Sequence, residues 1–460
     1  MLKEIKMVKD KKEVVVIGTG IGGSAIAVLL AHRGFHVTVL EKLPFAGGRC
    51  SSQKREGFTL DTGVHQFGRC QAGPLGEILK RIGKEKEIQW SYTRDPVQKL
   101  NYLDQIIEYP KEIYKLGVDV QAYQKIISTI TNMPWEETHA LDEINVKEWL
   151  LGFTSDQTLL NIFSYITILY FVIPYWQASA GEFIRSFQEL IKARSSGYPL
   201  GGCHVIPDTY LNVVVTSGGE VRTLSPVKKI VIKEEKAIGV ELEDGSFIPA
   251  DLVISNVDPI TTVNKLVGKE YFPLDYVKKV ESIKFAGGAF VLKLALDRVI
   301  TPEKLMMNIS HPITDIYYSG LEKGEIPERC DLMVVINSNF DPSTAPEGKQ
   351  LITAGTFPVY NKDWKRWHQV VLDSLEEMIP GVKDHILFEE STSADMVEKL
   401  LGEAGSVIGM AQTPDQIGKN RLTQTTPIPN LYLVGAEAGG VGIGTELAAM
   451  SALELDRIIK

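Results

Sequence analysis

The run VVVIGTGIGGSAIAVLLAHRGFHVTVLEK, from Val14 to Lys42, constrains this chain more than any other stretch. Glu13 to Ile17 is a short β-branched segment bounded by glycine, the pattern of a strand buried on both faces. Ser24 to His32 carries good helix formers with Gly34 as a stop, and His36 to Leu40 reads as a second strand. Gly18, Gly20 and Gly23 occupy the first turn of this βαβ unit in a G-x-G-x-x-G pattern, with Ile21 and Gly22 completing it. Gly18 permits a tight turn, Gly20 lets the backbone approach a pyrophosphate, and Gly23 lets helix and strand pack closely, while the helix N-terminus faces the anion. Glu41, 18 residues past Gly23 and followed by Lys42, stands where a carboxylate accepts ribose hydroxyls and disfavours a 2′-phosphate. The strand before, the helix after and the acid at this distance point to a dinucleotide. They leave open whether it is a nicotinamide or a flavin.

A chain of 460 residues is long for one hydrophobic core, so two domains are expected. With 49 basic against 58 acidic residues and no basic block that could follow a phosphate backbone, nucleic acid is not an expected partner. Cys50, Cys70, Cys203 and Cys330 are scattered without CxxC pairs, which suggests neither a zinc site nor a disulfide framework and fits a cytoplasmic compartment. The charged opening MLKEIKMVKDKKE has no apolar core of signal-peptide length and reads as a lead-in to the first strand. Leu159 to Trp176 is the most apolar window. It is interrupted by Asn161, Ser164 and Pro174 and is short of the roughly 20 residues of a bilayer span, so a buried helix is expected. Peripheral membrane contact is compatible with the sequence, although no basic amphipathic helix announces it.

Directly after Glu41 comes KLPFAGGRCSS, with Gly47, Gly48 and Arg49, and then GFTLDTGVHQFG, with Asp61, Gly63, Val64 and His65. The end of the chain gives a buried strand at Leu431 to Val434, a glycine-rich loop from Gly435 to Gly444 and a helix from Thr445. Together these segments resemble the flavin-dependent amine oxidase and phytoene desaturase superfamily. The resemblance implies non-covalent FAD spanning three distant segments. Gly47 and Gly48 would give a second backbone approach to the pyrophosphate, and the Arg49 guanidinium could pair with phosphate oxygens. Gly63, Val64 and His65 would run along the isoalloxazine. Val227, at the start of SPVKKIVI, would offer its backbone to the adenine, and Asn256 would close the returning parallel strand. Gly435, Glu437, Gly442, Ile443 and Gly444 would bring a helix N-terminus to the flavin pyrimidine, where positive potential favours the anionic reduced ring.

The segment GEAGSVIGMAQTPDQIGKNRLTQTTPIPNLYLVGA is similar in order to the phytoene desaturase, carotenoid isomerase and retinol saturase branch. Ala436, followed by Glu437, stands where relatives often carry aspartate and sometimes alanine, and no cysteine beyond Cys330 could form a cysteinyl-flavin link in the C-terminal loop. The resemblance implies an α/β fold: a Rossmann-like, glutathione-reductase-type FAD domain from residues 1–70, 198–265 and 426–460, interleaved with an α+β substrate domain from 71–197 and 266–425. The implied activity is hydride transfer between flavin N5 and a C–C bond of a hydrophobic isoprenoid, polyene or lipid-like substrate, with an electron acceptor or donor that the sequence does not name. Two other readings stay open: an amine or protoporphyrinogen-type oxidase, and a lipid carrier of the Rab GDP-dissociation-inhibitor type. No serine–histidine–aspartate set or paired carboxylate stands out, and His65, Glu446 and Tyr198 are the candidate proton handlers.

Overall fold

In the computed structural model, residues 12–63, 66–93 and 98–460 are described. A five-stranded parallel sheet forms the first body, in the order Leu431–Leu433, Leu252–Ser255, Glu13–Ile17, His36–Leu40 and Glu220–Arg222. Successive side chains of a strand point to opposite faces. Val14 and Val16 accordingly join one core with Val37, Val39 and Ile254. Val15 and Ile17 join another with Leu40, Val253, Leu431 and Leu433. The β-branched run is apolar throughout because both faces are covered.

On the first face lie helices Ile21–His32, Pro74–Arg81, Val205–Thr216 and Gly444–Ile458. Ile21–His32 is buried from Ile21 to Ala31, wedged between the sheet and its helical neighbours. The other face carries the antiparallel meander Val227–Lys233, Lys236–Leu242 and Phe247–Pro249, together with helix Leu274–Glu281.

The second body is built on a seven-stranded sheet in the order Ile386–Ser393, Gly288–Leu296, Gln350–Val359, Leu332–Val335, Leu305–Ile309, Gln98–Tyr102 and Gln105–Tyr109. Only the pairing of Leu305–Ile309 with Gln98–Tyr102 is parallel. Helices Gln157–Phe171 and Ala180–Ala193 pack against it in one cluster, and Thr314–Glu322 and Trp364–Met378 in another. The apolar window is thus a buried helix that ends where Val172 turns left-handed at φ 52°. Among the described residues no helix is long and apolar enough to cross a membrane. Most of the charged opening, residues 1–11, lies outside the described residues.

The packing divides the chain differently from the sequence-based boundaries. Leu75, Ile78, Leu79, Ile82 and Ile88 belong to the core of the first body, because the amphipathic helix Pro74–Arg81 buries its apolar stripe there. Phe272, Val277, Val280 and Leu422 likewise join the core beneath the meander. The run DLMVVINSNF is a strand only as far as Val335; Asn337–Phe340 is a helical turn in which the Thr353 hydroxyl donates to Asn337 Oδ1 at 2.7 Å.

Candidate active site

A cavity of about 800 Å³ opens between the two bodies and is lined by both, near the upper end of the usual range for ligand sites, roughly 300–1,000 Å³. One end is almost pure backbone. Gly18, Gly20, Ile21 and Gly22 form part of its wall, with Glu41, Lys42, Gly47, Gly48, Arg49 and Gly63 beside them. Gly18 needs its left-handed φ of 95°, and its N–H donates to the Leu40 carbonyl at 2.7 Å, which closes the turn. Gly23 does not line the cavity; a Cβ there would come within 2.0 Å of the Gly18 carbonyl oxygen.

Asn256 is the keystone of this end. A Cβ on Gly20 would stand 2.8 Å from its Nδ2, and a Cβ on Gly22 would stand 2.5 Å from its Oδ1 and 3.0 Å from Gly435 Cα. The turn that begins the chain, the end of strand Leu252–Ser255 and the loop that precedes the last helix therefore meet with no room for side chains. Such a cradle fits a pyrophosphate, which backbone N–H groups and a helix N-terminus recognise without side-chain help. Val227, Gly435, Glu437, Gly442, Ile443 and Gly444 continue the same wall.

Glu41 is buried, and its carboxylate is already engaged. Oε2 accepts from Thr19 N–H at 3.0 Å and from the Thr19 hydroxyl at 2.6 Å, and Oε1 accepts from Leu43 N–H at 2.9 Å. Thr19 Oγ1 in turn accepts from Gly47 N–H at 3.1 Å. Thr19 therefore couples the two glycine-rich turns, a role the motif spacing does not reveal. Arg49 Nη1 donates to the Ser406 carbonyl at 3.0 Å and ties the second turn to the segment that roofs it.

The C-terminal loop is held from the side of the second body. Gly442 N–H donates to Glu182 Oε1 at 3.2 Å, and its carbonyl accepts from Gln412 Nε2 at 2.9 Å. Arg185 bonds Glu182 at 2.9 Å and Asp142 at 2.6 Å. Arg421 reaches the Ala436 carbonyl at 3.4 Å, and burial lowers its guanidinium below the ordinary value, opposed by the Glu182 charge. Ala436 thus contributes to the network through its carbonyl, without a side-chain carboxylate.

Of the candidate proton handlers, Glu446 lines the cavity but is held by Arg69, accepting from its backbone N–H at 2.7 Å and from its Nε at 2.5 Å. Arg69 also meets Glu189 at 3.1 Å. An ion-paired carboxylate in this position anchors the arginine. Tyr198 is displaced from the candidate set: it lies off the cavity, wholly buried, and its hydroxyl donates to Asp61 at 2.5 Å. Burial, reinforced by Asp61, pushes the Tyr198 phenol well above its ordinary value, so the pair is structural. Val64 and His65 lie outside the described residues. Tyr170, which sequence patterning leaves inside an apolar run, lines the cavity, and its phenol is pushed to about 12 by burial and the nearby Glu446 charge. The remaining wall is mostly apolar and includes Leu169, Val172, Ala289, Val291, Met333 and Phe357.

The family model for flavin containing amine oxidoreductases matches residues 21–454. The chain belongs to that family. It is a flavin-dependent oxidoreductase, and the glycine-lined end of the cavity is where its backbone could hold the cofactor. This flavoenzyme is 26% identical to the phytoene desaturase of Fusarium fujikuroi, over 98% of this chain and 90% of that one. It is 25% identical to the all-trans-retinol 13,14-reductase of Danio rerio, over 94% of this chain and 83% of that one. Among solved structures, an oxidoreductase from Methanosarcina mazei shares the fold with a TM-score of 0.77 at 24% identity, covering 97% of this chain and all of that one. A Rab GDI from Plasmodium falciparum shares it more loosely, with a TM-score of 0.59 at 14% identity and 97% of each chain covered.

Proposed function

We propose that the flavoenzyme binds FAD without a covalent link and acts on a C–C bond of a hydrophobic isoprenoid or polyene chain, as a desaturase, a saturase or an isomerase. The observation that carries this reading is the continuity of one cavity, backbone-lined at one end and walled by apolar strands and helices at the other. The relatives named as phytoene desaturases, prolycopene isomerases and a retinol reductase support it.

When bound, the flavin supplies the capacity to accept or return a hydride. The protein's contribution is placement. Gly18, Gly20 and Gly22 would receive the pyrophosphate, Glu41 would share its remaining acceptor sites with a ribose, and the N-terminus of Gly444–Ile458 would add positive potential. Val291, Met333 and Phe357, which line the cavity, would exclude water and hold a carbon chain in register. Tyr170 keeps its proton at neutral pH, so it can donate a hydrogen bond but not act as a base. Cys50, which lines the cavity, directs its thiol to the Cys203 carbonyl at 3.3 Å, and no cysteine lies in the C-terminal loop, which supports a dissociable cofactor.

The test is a visible spectrum of the purified protein before and after heat denaturation, followed by anaerobic titration with polyenes. Flavin bands, free FAD in the supernatant and bleaching by a polyene, or reoxidation of the reduced protein by one, are expected. Bleaching by primary amines with peroxide release in air, and no response to polyenes, would replace this reading with an amine oxidase.

A further inference from the structure

We propose that Lys293 and Glu390 together recognise a hydroxyl group at the end of the substrate, so that the site takes an isoprenoid or polyene alcohol in preference to a hydrocarbon. The proposal rests on the reading of the cavity as a site for a hydrophobic chain and narrows its substrate class.

Strand Gly288–Leu296 is buried at every position. Its alternate residues Ala289, Val291 and Lys293 line the cavity. On the neighbouring strand Glu390 lies directly across from Lys293, and Thr392 across from Val291. Lys293 Nζ meets Glu390 Oε1 at 2.9 Å, and the exposed Gln53 donates to Glu390 Oε2 at 2.6 Å. The lysine side chain is 2% exposed and the glutamate 24%. The pair thus marks the place where an apolar wall gives way to solvent.

An ammonium carries three N–H donors. Lys293 lines the cavity, and among the described residues Glu390 is its only partner, so two of its donors have no partner among them. Burying a charge pair is costlier than placing an apolar pair of the same size, and a wall built only for hydrocarbon would gain from leucine or methionine here. The pair is neutral as a whole. A hydroxyl completes it, accepting from the ammonium and donating to the carboxylate. A carboxylate terminus would meet Glu390 as a like charge, and a hydrocarbon terminus would leave the donors unmet. The chain enters tail first over Val291 and Met333, and its polar end stays at the mouth.

The experiment uses flavin-loaded protein and two matched pairs of ligands: retinol with its deoxy hydrocarbon, and geranylgeraniol with the corresponding hydrocarbon, the second pair read by competition. Retinoate is the charged control. Wild-type protein is expected to bind each alcohol at least tenfold more tightly than its hydrocarbon, and retinol more tightly than retinoate. Lys293→Met should erase the alcohol preference while leaving flavin content unchanged. Lys293→Met/Glu390→Met removes both charges and should bind the hydrocarbons as well as or better than wild type, which covers the case of a single variant that does not fold. Equal binding of alcohol and hydrocarbon by wild type, or a tighter retinoate, overturns the proposal while the C–C reading stands. Binding of neither class to a fully flavinated protein overturns both.

Discussion

Single atoms decide whether the glycine cradle works. A Cβ at Gly20 would already stand 2.8 Å from Asn256 Nδ2, and valine adds two methyl groups to that crowded turn. Gly20→Val is therefore expected to yield a folded protein that purifies colourless, checked by circular dichroism beside the flavin absorbance. Thr19→Val keeps the shape but removes the hydroxyl that joins Glu41 to Gly47. The expected loss is about 1–3 kcal/mol in flavin affinity, the usual cost of leaving buried hydrogen-bonding groups unmatched, and flavin titration of the apoprotein measures it. Asp61 is shifted in the opposite direction from a carboxylate that gains a cationic partner. Desolvation raises it above its ordinary 3.8, although Ser52, Tyr198 and Cys203 hydrogen bonds pull the other way. A raised value means that its contribution to stability is full below 3.8 and is lost as pH rises through the folded value. Melting temperatures of wild type should therefore fall relative to Asp61→Asn as pH is raised across the acid range; a gap that stays constant would show that Asp61 does not titrate there. The sequence hides these roles because Thr19 and Tyr198 are ordinary residue types whose partners come from distant segments.

Helices and strands carry their own patterns but not their destinations. The strand–turn–helix at Glu13–His32 is legible from its letters because periodicity and glycine placement act within one short segment. Pro74–Arg81 is equally regular, yet an amphipathic stripe says only that something must cover it. Its partner, the C-terminal helix, is far away in sequence, so the domain boundary falls elsewhere than composition suggests. Lys293 is hidden in a similar way, since one charge in the run GAFVLKLAL looks like a flaw in a buried strand. The Arg69–Glu446 pair fastens the last helix to the segment before Pro74–Arg81, with side chains only 7% and 8% exposed. Breaking it by Glu446→Leu should cost about 1.5–3 kcal/mol, the usual worth of a hydrogen bond to a charged group, because Arg69 keeps Glu189 but loses its more buried partner. Arg69→Met/Glu446→Leu should recover most of that loss, and hydrogen exchange across Gly444–Ile458 with denaturant titration distinguishes the two.

At the scale of the molecule, the cavity belongs to neither body alone. The parallel sheet supplies its glycine-lined end, the mixed sheet supplies its apolar wall, and Glu182, Gln412 and Arg421 fix the loop between them. A ligand that bridges two bodies stabilises their union by mass action. Removal of the flavin should therefore lower the thermal midpoint, and saturating added FAD should restore it; an unchanged midpoint would place the cofactor outside the junction. The architecture was readable from the sequence because its two ends carry paired signals, whereas the junction depends on contacts that no local pattern encodes.

The meeting of Gly22, Asn256 and Gly435 has a consequence for how the protein matures. The first and last of these are roughly 400 residues apart in the chain, and the cradle has no third wall until the last strand and loop have been made. A chain still short of Gly435 lacks part of the seat for the cofactor. Flavin loading is therefore expected to wait until Gly435 has been made, and a product stopped shortly before Gly435 would lack one wall of the cradle.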